Sequence, residues 1–225
     1  NRFTRPNAGP VERNVIQLRS WTGSTSAGPA DFGPPASATE YVIVSDNELS
    51  QDNVGVVVRT CQTNTCGDAS DAQNMQHVIF ERNFFQFTAH AGGDGPSQMG
   101  RAFWLEGGDF TIRDNIFDLQ GIKLGDGYNN DRLVQASPNV PSSPGLNDDD
   151  VHVLNNVVYF DETINRPFRI CSSMGGTGHR CQNNLIHLPN HRGGHYDTEG
   201  PGWLASNNVF ASANPFARPV PDQGA

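Results

Sequence analysis

Short runs in which apolar and polar residues alternate recur along the whole chain, as in Tyr41-Val42-Ile43-Val44 and Asp109-Phe110-Thr111-Ile112. A period of two puts successive side chains on opposite faces and predicts strands rather than helices. Close behind each run comes an asparagine followed two residues later by a large apolar residue. The pairs are Asn14/Ile16, Asn47/Leu49, Asn83/Phe85, Asn115/Phe117, Asn156/Val158, Asn184/Ile186 and Asn208/Phe210, at intervals of 33, 36, 32, 41, 28 and 24 residues. Three positions before these asparagines stand Val11, Val44, Phe80, Ile112, Val153, Cys181 and Ala205, apolar in every unit. A repeat of this length marks a solenoid, in which each unit buries its apolar face only against its neighbours. A strand, an asparagine at a sharp bend and a second strand, once per coil, predict a parallel β-solenoid.

The asparagine column in Arg82-Asn83-Phe84-Phe85, Asp114-Asn115-Ile116-Phe117, Asn155-Asn156-Val157-Val158, Asn183-Asn184-Leu185-Ile186 and Asn207-Asn208-Val209-Phe210 resembles that of the right-handed parallel β-helix superfamily, whose best known members are pectate-lyase-like proteins. The resemblance runs from about Val11 to Phe210. It implies an all-β, single-domain right-handed parallel β-helix of about seven coils with long loops, three strands to a coil. It also implies that Asn14, Asn47, Asn83, Asn115, Asn156, Asn184 and Asn208 stack at one bend and hydrogen-bond from coil to coil. The chemistry agrees, because Asn tolerates a left-handed backbone and its amide can satisfy groups stranded at a bend.

With 225 residues, the chain is read as one domain, 1–225, with extended Pro-rich tails at 1–10 and 214–225. An apolar content of 36% and a mean hydropathy of −0.52 are low for a globular core and suit a thin-cored solenoid. The 24 glycines and 15 prolines suit many bends and discourage long helices. A net charge of −9 argues against nucleic acid as a partner. No stretch approaches the roughly 18 consecutive apolar residues of a membrane span. The absence of an initiating Met and of a signal peptide leads to the expectation of a mature chain or an excised piece.

Four cysteines fall in two local pairs, Cys61/Cys66 and Cys171/Cys181. Their even count and short spacing favour two disulfides, with buried thiols as the alternative; Cys-x4-Cys with Cys-x9-Cys matches no zinc pattern. Disulfides place the protein in an oxidising compartment: extracellular, at the cell surface or periplasmic.

With the second strand of each coil before the asparagine and the third after it, the first strand falls ahead of the next repeat. Candidates are Val54–Thr60, Arg101–Leu105, Ile122–Gly125, Phe168–Cys171 and His195–Thr198, with loops at 61–76, 88–100, 126–150 and 189–202. If Ile122 and Leu124 point inward, Lys123 points out. Phe168 and Ile170 inward would likewise put Arg169 out, and Phe103 and Leu105 inward would put Trp104 and Glu106 out. Arg59 falls near the same column, and His195 or Tyr196 ends it. Arg59, Trp104, Lys123 and Arg169 are thereby expected to form one outward ladder.

A column of cations beside an exposed aromatic suits an acidic polysaccharide or cell-surface glycan, since Arg grips a carboxylate bidentately. In polysaccharide lyases of the resembled superfamily, a Lys or Arg removes the proton α to a uronate carboxylate and a further cation neutralises that carboxylate. By that resemblance Lys123 would be the base and Arg169 the clamp. Arg59, Trp104, Glu106, His195 and Tyr196 would line the substrate. The stretch Gly121-Ile122-Lys123-Leu124-Gly125-Asp126 carries no extended lyase signature, and Gly194-His195-Tyr196 is not the Gly-His-Gly of the polygalacturonase branch. Ca²⁺ is the candidate cofactor, with Asp148-Asp149-Asp150 and Asp126 as its ligands. Consecutive side chains on an extended strand diverge, so the triplet reads first as loop punctuation. Asp126, Asn129, Asn130 and Asp131 form a second oxygen-rich group. His187, His191 and His195 have the spacing of a helical metal face, but Pro189 and Gly193-Gly194 argue against a helix. The contrasting function is a non-catalytic surface or fibre subunit, with Phe3 and Phe216 of the tails docking on another copy and uncapped solenoid ends templating association.

Overall fold

The computed structural model describes residues 2–5, 16–19, 40–51, 56–61, 75–87, 98–99, 101–119, 123–124, 132–136, 149–160, 168–190 and 195–212. Their regular structure is entirely β. In chain order the strands are Arg2–Arg5 (β1), Ile16–Arg19 (β2), Glu40–Ser45 (β3), Glu48–Gln51 (β4), Val56–Cys61 (β5), Gln76–Glu81 (β6) and Phe84–Phe87 (β7). Next come Gln98–Met99 (β8), Arg101–Leu105 (β9), Phe110–Arg113 (β10), Ile116–Asp118 (β11), Lys123–Leu124 (β12), Arg132–Ala136 (β13), Val151–Leu154 (β14) and Val157–Tyr159 (β15). Phe168–Ser173 (β16), His179–Gln182 (β17), Leu185–Leu188 (β18), His195–Glu199 (β19), Trp203–Ser206 (β20) and Val209–Ser212 (β21) complete the set.

Three sheets hold all but two of these strands. Sheet 1 runs β2-β5-β9-β13-β16-β19, sheet 2 runs β3-β6-β10-β14-β17-β20, and sheet 3 runs β1-β4-β7-β11-β15-β18-β21, while β8 pairs with β12. Spatial order within each sheet follows sequence order, the chain visits the three sheets in rotation, and the described pairings are parallel. That arrangement is compatible with a parallel β-solenoid.

The core is built from columns of side chains in register. Leu49, Phe85, Phe117, Val158, Ile186 and Phe210 form one from sheet 3. Val44, Phe80, Ile112, Val153, Cys181 and Ala205 form another from sheet 2. Phe103 of sheet 1 meets Phe80, Phe85 and Phe117 edge-on, with ring centroids 5.2, 5.5 and 5.9 Å away, while Phe85 and Phe117 stack at 4.8 Å. All four rings are fully buried. Each contributes about 1.5–3 kcal/mol of burial.

The bend from sheet 2 to sheet 3 repeats one conformation. Asp46, Arg82, Asp114, Asn155, Asn183 and Asn207 have φ of 58°, 53°, 56°, 55°, 57° and 57°, and each directly precedes a ladder asparagine. Asn and Asp dominate this column because they visit the left-handed region at least cost after glycine. The asparagine that follows turns inward. Asn83, Asn115, Asn156 and Asn184 are buried, and each Nδ2 donates both to the next ladder oxygen and to a backbone carbonyl on the preceding turn. For Asn115 those acceptors are Asn156 Oδ1 at 3.1 Å and the Phe80 carbonyl at 3.0 Å.

Several sequence expectations change here. Asn14 itself lies outside the described residues, but the strand after it, β2, joins sheet 1, whereas the strands after the ladder asparagines form sheet 3. The ladder of the described residues therefore runs from Asn47 to Asn208. Residues 2–5, read as part of a free tail, form β1 and pair with β4, Phe3 opposite Leu49. The C-terminal segment 214–225, with Phe216, lies outside the described residues. Lys123–Leu124, expected in sheet 1, pairs instead with Gln98–Met99. The sheet 1 strand of that turn is β13, inside the stretch 126–150 that was expected to be loop.

Candidate functional site

Sheet 1 was expected to carry the functional ladder, and its register fixes who neighbours whom. Arg59 lies opposite Trp104, as the spacing suggested, and Trp104 continues to Gln135, Ser172 and Glu199. Three residues earlier, and so on the other face, Val56, Arg101, Arg132, Arg169 and Tyr196 share a second column. Lys123 belongs to neither. The cation next to Arg169 is therefore Arg132, which lies in the stretch 126–150 expected to be loop, with Arg101 one strand further.

The facing of β16 also differs from expectation. Cys171 is fully buried and forms a disulfide with Cys181, whose column faces the core of sheet 2. Cys171, and with it Arg169, thus has inward parity, while Ile170 lies on the opposite face. Ile170, Leu133 and Ala102 are nonetheless fully buried on that face, and Gln135 and Ser172 are 4% and 2% exposed. The outer side of sheet 1 is not an open row of cations. Trp104 is half-buried on it, and Glu106, expected to point out, is 2% exposed just past the end of β9. Arg132 and Arg169 are half-buried at the beginnings of their strands, and Arg132 Nη1 donates to Gln135 Oε1 at 3.3 Å.

Of the remaining predicted residues, Arg59, Lys123, His195 and Tyr196 have described backbone only. Cys66, Asp126 and Asp148 lie outside the described residues, and with Cys66 the Cys61/Cys66 pairing. Asp149 Oδ1 accepts the Thr177 backbone N–H at 2.7 Å and its hydroxyl at 3.1 Å. Asp150 occupies a bend with φ of 60°. These two neighbours serve turns rather than converge, and among the described residues no group of three His, Cys, Asp or Glu side chains is placed to hold a metal. The described acidic residues do not fit a calcium cage, and no step is derived through one. His187 lies in β18, a strand, so the helical histidine face does not form.

Two clusters escaped the sequence reading because their members meet only through register. At the bend from sheet 1 to sheet 2, His77 Nδ1 is bonded to Asp109 Oδ2, and the Tyr41 ring stacks on His77 at 4.6 Å. All three have positive φ, 58° at Tyr41, 57° at His77 and 53° at Asp109, costly for side chains as bulky as the first two. At the next bend, Glu81 is 8% exposed between two guanidinium groups. Its Oε1 meets Arg82 Nη1 at 2.5 Å, and its Oε2 meets Arg113 Nε and Nη2 at 2.8 and 2.5 Å. Arg82 also grips Asp46 bidentately, at 2.8 Å on both oxygens. Hydrogen bonds from Arg113 and then Arg82 hold the Glu81 carboxyl below the usual range, and the bond from Arg82 does the same for Asp46.

Comparison with protein-family models, with curated proteins and with solved structures finds no match to this chain. No helix among the described residues is long and apolar enough to cross a membrane.

Proposed function

We propose that this chain is a right-handed parallel β-helix, working in an oxidising compartment outside the cytoplasm, that binds acidic polysaccharide along the beginnings of the sheet 1 strands. The carrying observation is the column Arg101, Arg132 and Arg169, three arginines one rung apart on consecutive strands. Rungs are about 4.8 Å apart, and because the column shares the parity of the core residues Phe103, Val134 and Cys171, a polyanion would reach it at the beginnings of the strands, where Arg132 and Arg169 are half-buried. In a chain of net charge −9 such a column is a local reversal of sign. Arg suits it because the planar fork takes a carboxylate bidentately. Tyr196 extends the same column past Arg169, whereas Trp104, three residues after Arg101, lies on the opposite face of that strand. The Cys171–Cys181 disulfide supports the compartment.

Arg169 keeps the clamp role expected of it, and Arg132 takes the neighbouring place first given to Lys123. Proton abstraction by Lys123 loses its supporting geometry, because that residue is not beside the clamp, and the proposal is confined to binding. Affinity electrophoresis through gels containing polygalacturonate, alginate or a neutral glucan tests it. Retardation by the acidic polymers alone, weakened by added salt, is expected. Equal mobility in all gels would remove the reading.

A further inference from the structure

Over five of its seven strands, after Arg2 and Glu48 at the first two, the outer face of sheet 3 carries an apolar column that neither the ladder nor the arginine column uses. In register it runs Phe84, Ile116, Val157, Leu185 and Val209. The last four are 48%, 38%, 44% and 55% exposed, although each sits beside a buried core residue. Two residues on, a second outward column reads Gln86, Asp118, Tyr159, His187 and Ala211. Contiguous exposed aliphatic side chains on one sheet face mark an interaction surface. With Ile, Val and Leu but few rings, the stripe offers little for a sugar to stack on.

We infer that this face pairs with the same face of a second copy of the chain, about a two-fold axis running along β15. Such an axis keeps the strands parallel and reverses their stacking order, as an isologous contact requires. Val157 then meets Val157, Ile116 meets Leu185 and Phe84 meets Val209. In the second column Tyr159 meets Tyr159, and Asp118 meets His187. At the flanking bend Asp114 meets Asn183 and Arg82 meets Asn207, so no like charges are opposed. The other in-plane axis, along the stacking direction, would set Ile116 against Asp118 and Leu185 against His187 if it ran between the columns, burying polar groups on apolar ones, and Asp118 against Asp114, like charge on like, if it ran along the apolar column. The face is self-complementary in one orientation only.

Its size sets the strength. With the axis along β15 five strands overlap, and at about 4.8 Å per strand and four residues of about 3.3 Å they give a face of roughly 300 Å² per copy. That is well under half of the roughly 800 Å² that a standard interface contributes per partner. The dimer is accordingly weak and concentration-dependent.

Sedimentation equilibrium across a broad concentration range reads it directly. The parent chain should pass from monomer to dimer, and Val157→Asp, which places two carboxylates on the axis, should remain monomeric with an unchanged circular dichroism spectrum. Asp118→His and His187→Asp should each weaken association several-fold, while the double variant D118H/H187D should return to within about twofold of the parent. That recovery separates a specific contact from a folding defect. A parent that stays monomeric throughout would overturn the inference. So would a dimer indifferent to Val157→Asp, a double variant no better than the singles, or a glycan rather than a second copy occupying the face.

Discussion

Asn115 Oδ1 accepts two hydrogen bonds from Asn83, one from its backbone N–H at 2.9 Å and one from its Nδ2 at 3.1 Å. One side chain thereby satisfies a buried backbone donor on one turn while its own amide reaches the Phe80 carbonyl and Asn156 on either side. Substituting Asn115→Ala strands the Asn83 N–H and the Phe80 carbonyl in the core. At about 1–3 kcal/mol for each orphaned group, the expected loss is roughly 2–6 kcal/mol. Asn47→Ala, at the half-buried end of the ladder, should cost only about 1 kcal/mol, because the main-chain N–H of residue 47 still reaches Asn83 Oδ1. Urea unfolding of the two variants checks the contrast, and equal losses would contradict a cooperative ladder.

The residue before each ladder asparagine makes a separate prediction. Asn183 is exposed with φ of 57°. Asn183→Gly should be neutral or slightly stabilising, whereas Asn183→Val should destabilise by about 1–2 kcal/mol through steric clash in the left-handed region. Thermal melts of both variants decide it. A tolerated valine would mean the bend is not held in that conformation.

Acid should act through Glu81. Its carboxyl lies below the ordinary value of 4.5, and that of Asp46 below 3.8. A depressed folded value means the stabilising contribution is complete above those ordinary values and is lost as pH falls through the folded ones. Stability should decline from about pH 5 downward on this account. Glu81→Gln should be less stable than the parent at pH 7 and show a shallower decline in acid. Denaturant midpoints at a series of pH values measure the slope, and parallel curves would exclude Glu81 as its source.

The disulfide joins core columns of sheets 1 and 2 across a sequence separation of 10. The paired variant C171A/C181A should lose about 2–3 kcal/mol, as expected for closing a short loop. Unfolding with and without reductant should show at least this difference in the parent and a smaller one in the variant, which keeps only Cys61 and Cys66.

The parallel sheets and the ladder are legible in the sequence because the ladder bends repeat a local chemistry, Asp-Asn, Arg-Asn or Asn-Asn with a large apolar residue two positions after the asparagine. Sheet 1 is not legible in the same way. In Arg132-Leu133-Val134-Gln135-Ala136 the last four side chains are all buried, so both faces are covered and alternation carries no signal. The same holds around Cys171, where Ile170 and Cys171 are both fully buried and apolar character could not say which faces inward. Asn14 carries the same local chemistry, Val11 and then Arg13-Asn14-Val15-Ile16, and only the sheet that β2 joins separates it from the ladder. Tyr41, His77 and Asp109 are separated by 36 and 32 residues and meet only once the register is known. A misplaced strand moved the expected ladder from Arg132 to Lys123, and the site reading went with it.

The arginine column is tested most directly by titrating an oligogalacturonate into the parent chain and into the double variant R132Q/R169Q by calorimetry. A charge-assisted Arg–carboxylate bond contributes about 1.5–3 kcal/mol before solvent screening, so each half-exposed arginine should be worth roughly tenfold in affinity. Parent binding that weakens with salt and falls about a hundredfold in the double variant, with Lys123→Ala unchanged, is the predicted result. A parent that ignores the acidic oligosaccharide, or a double variant that binds it as well as the parent, would contradict the role given to Arg132 and Arg169.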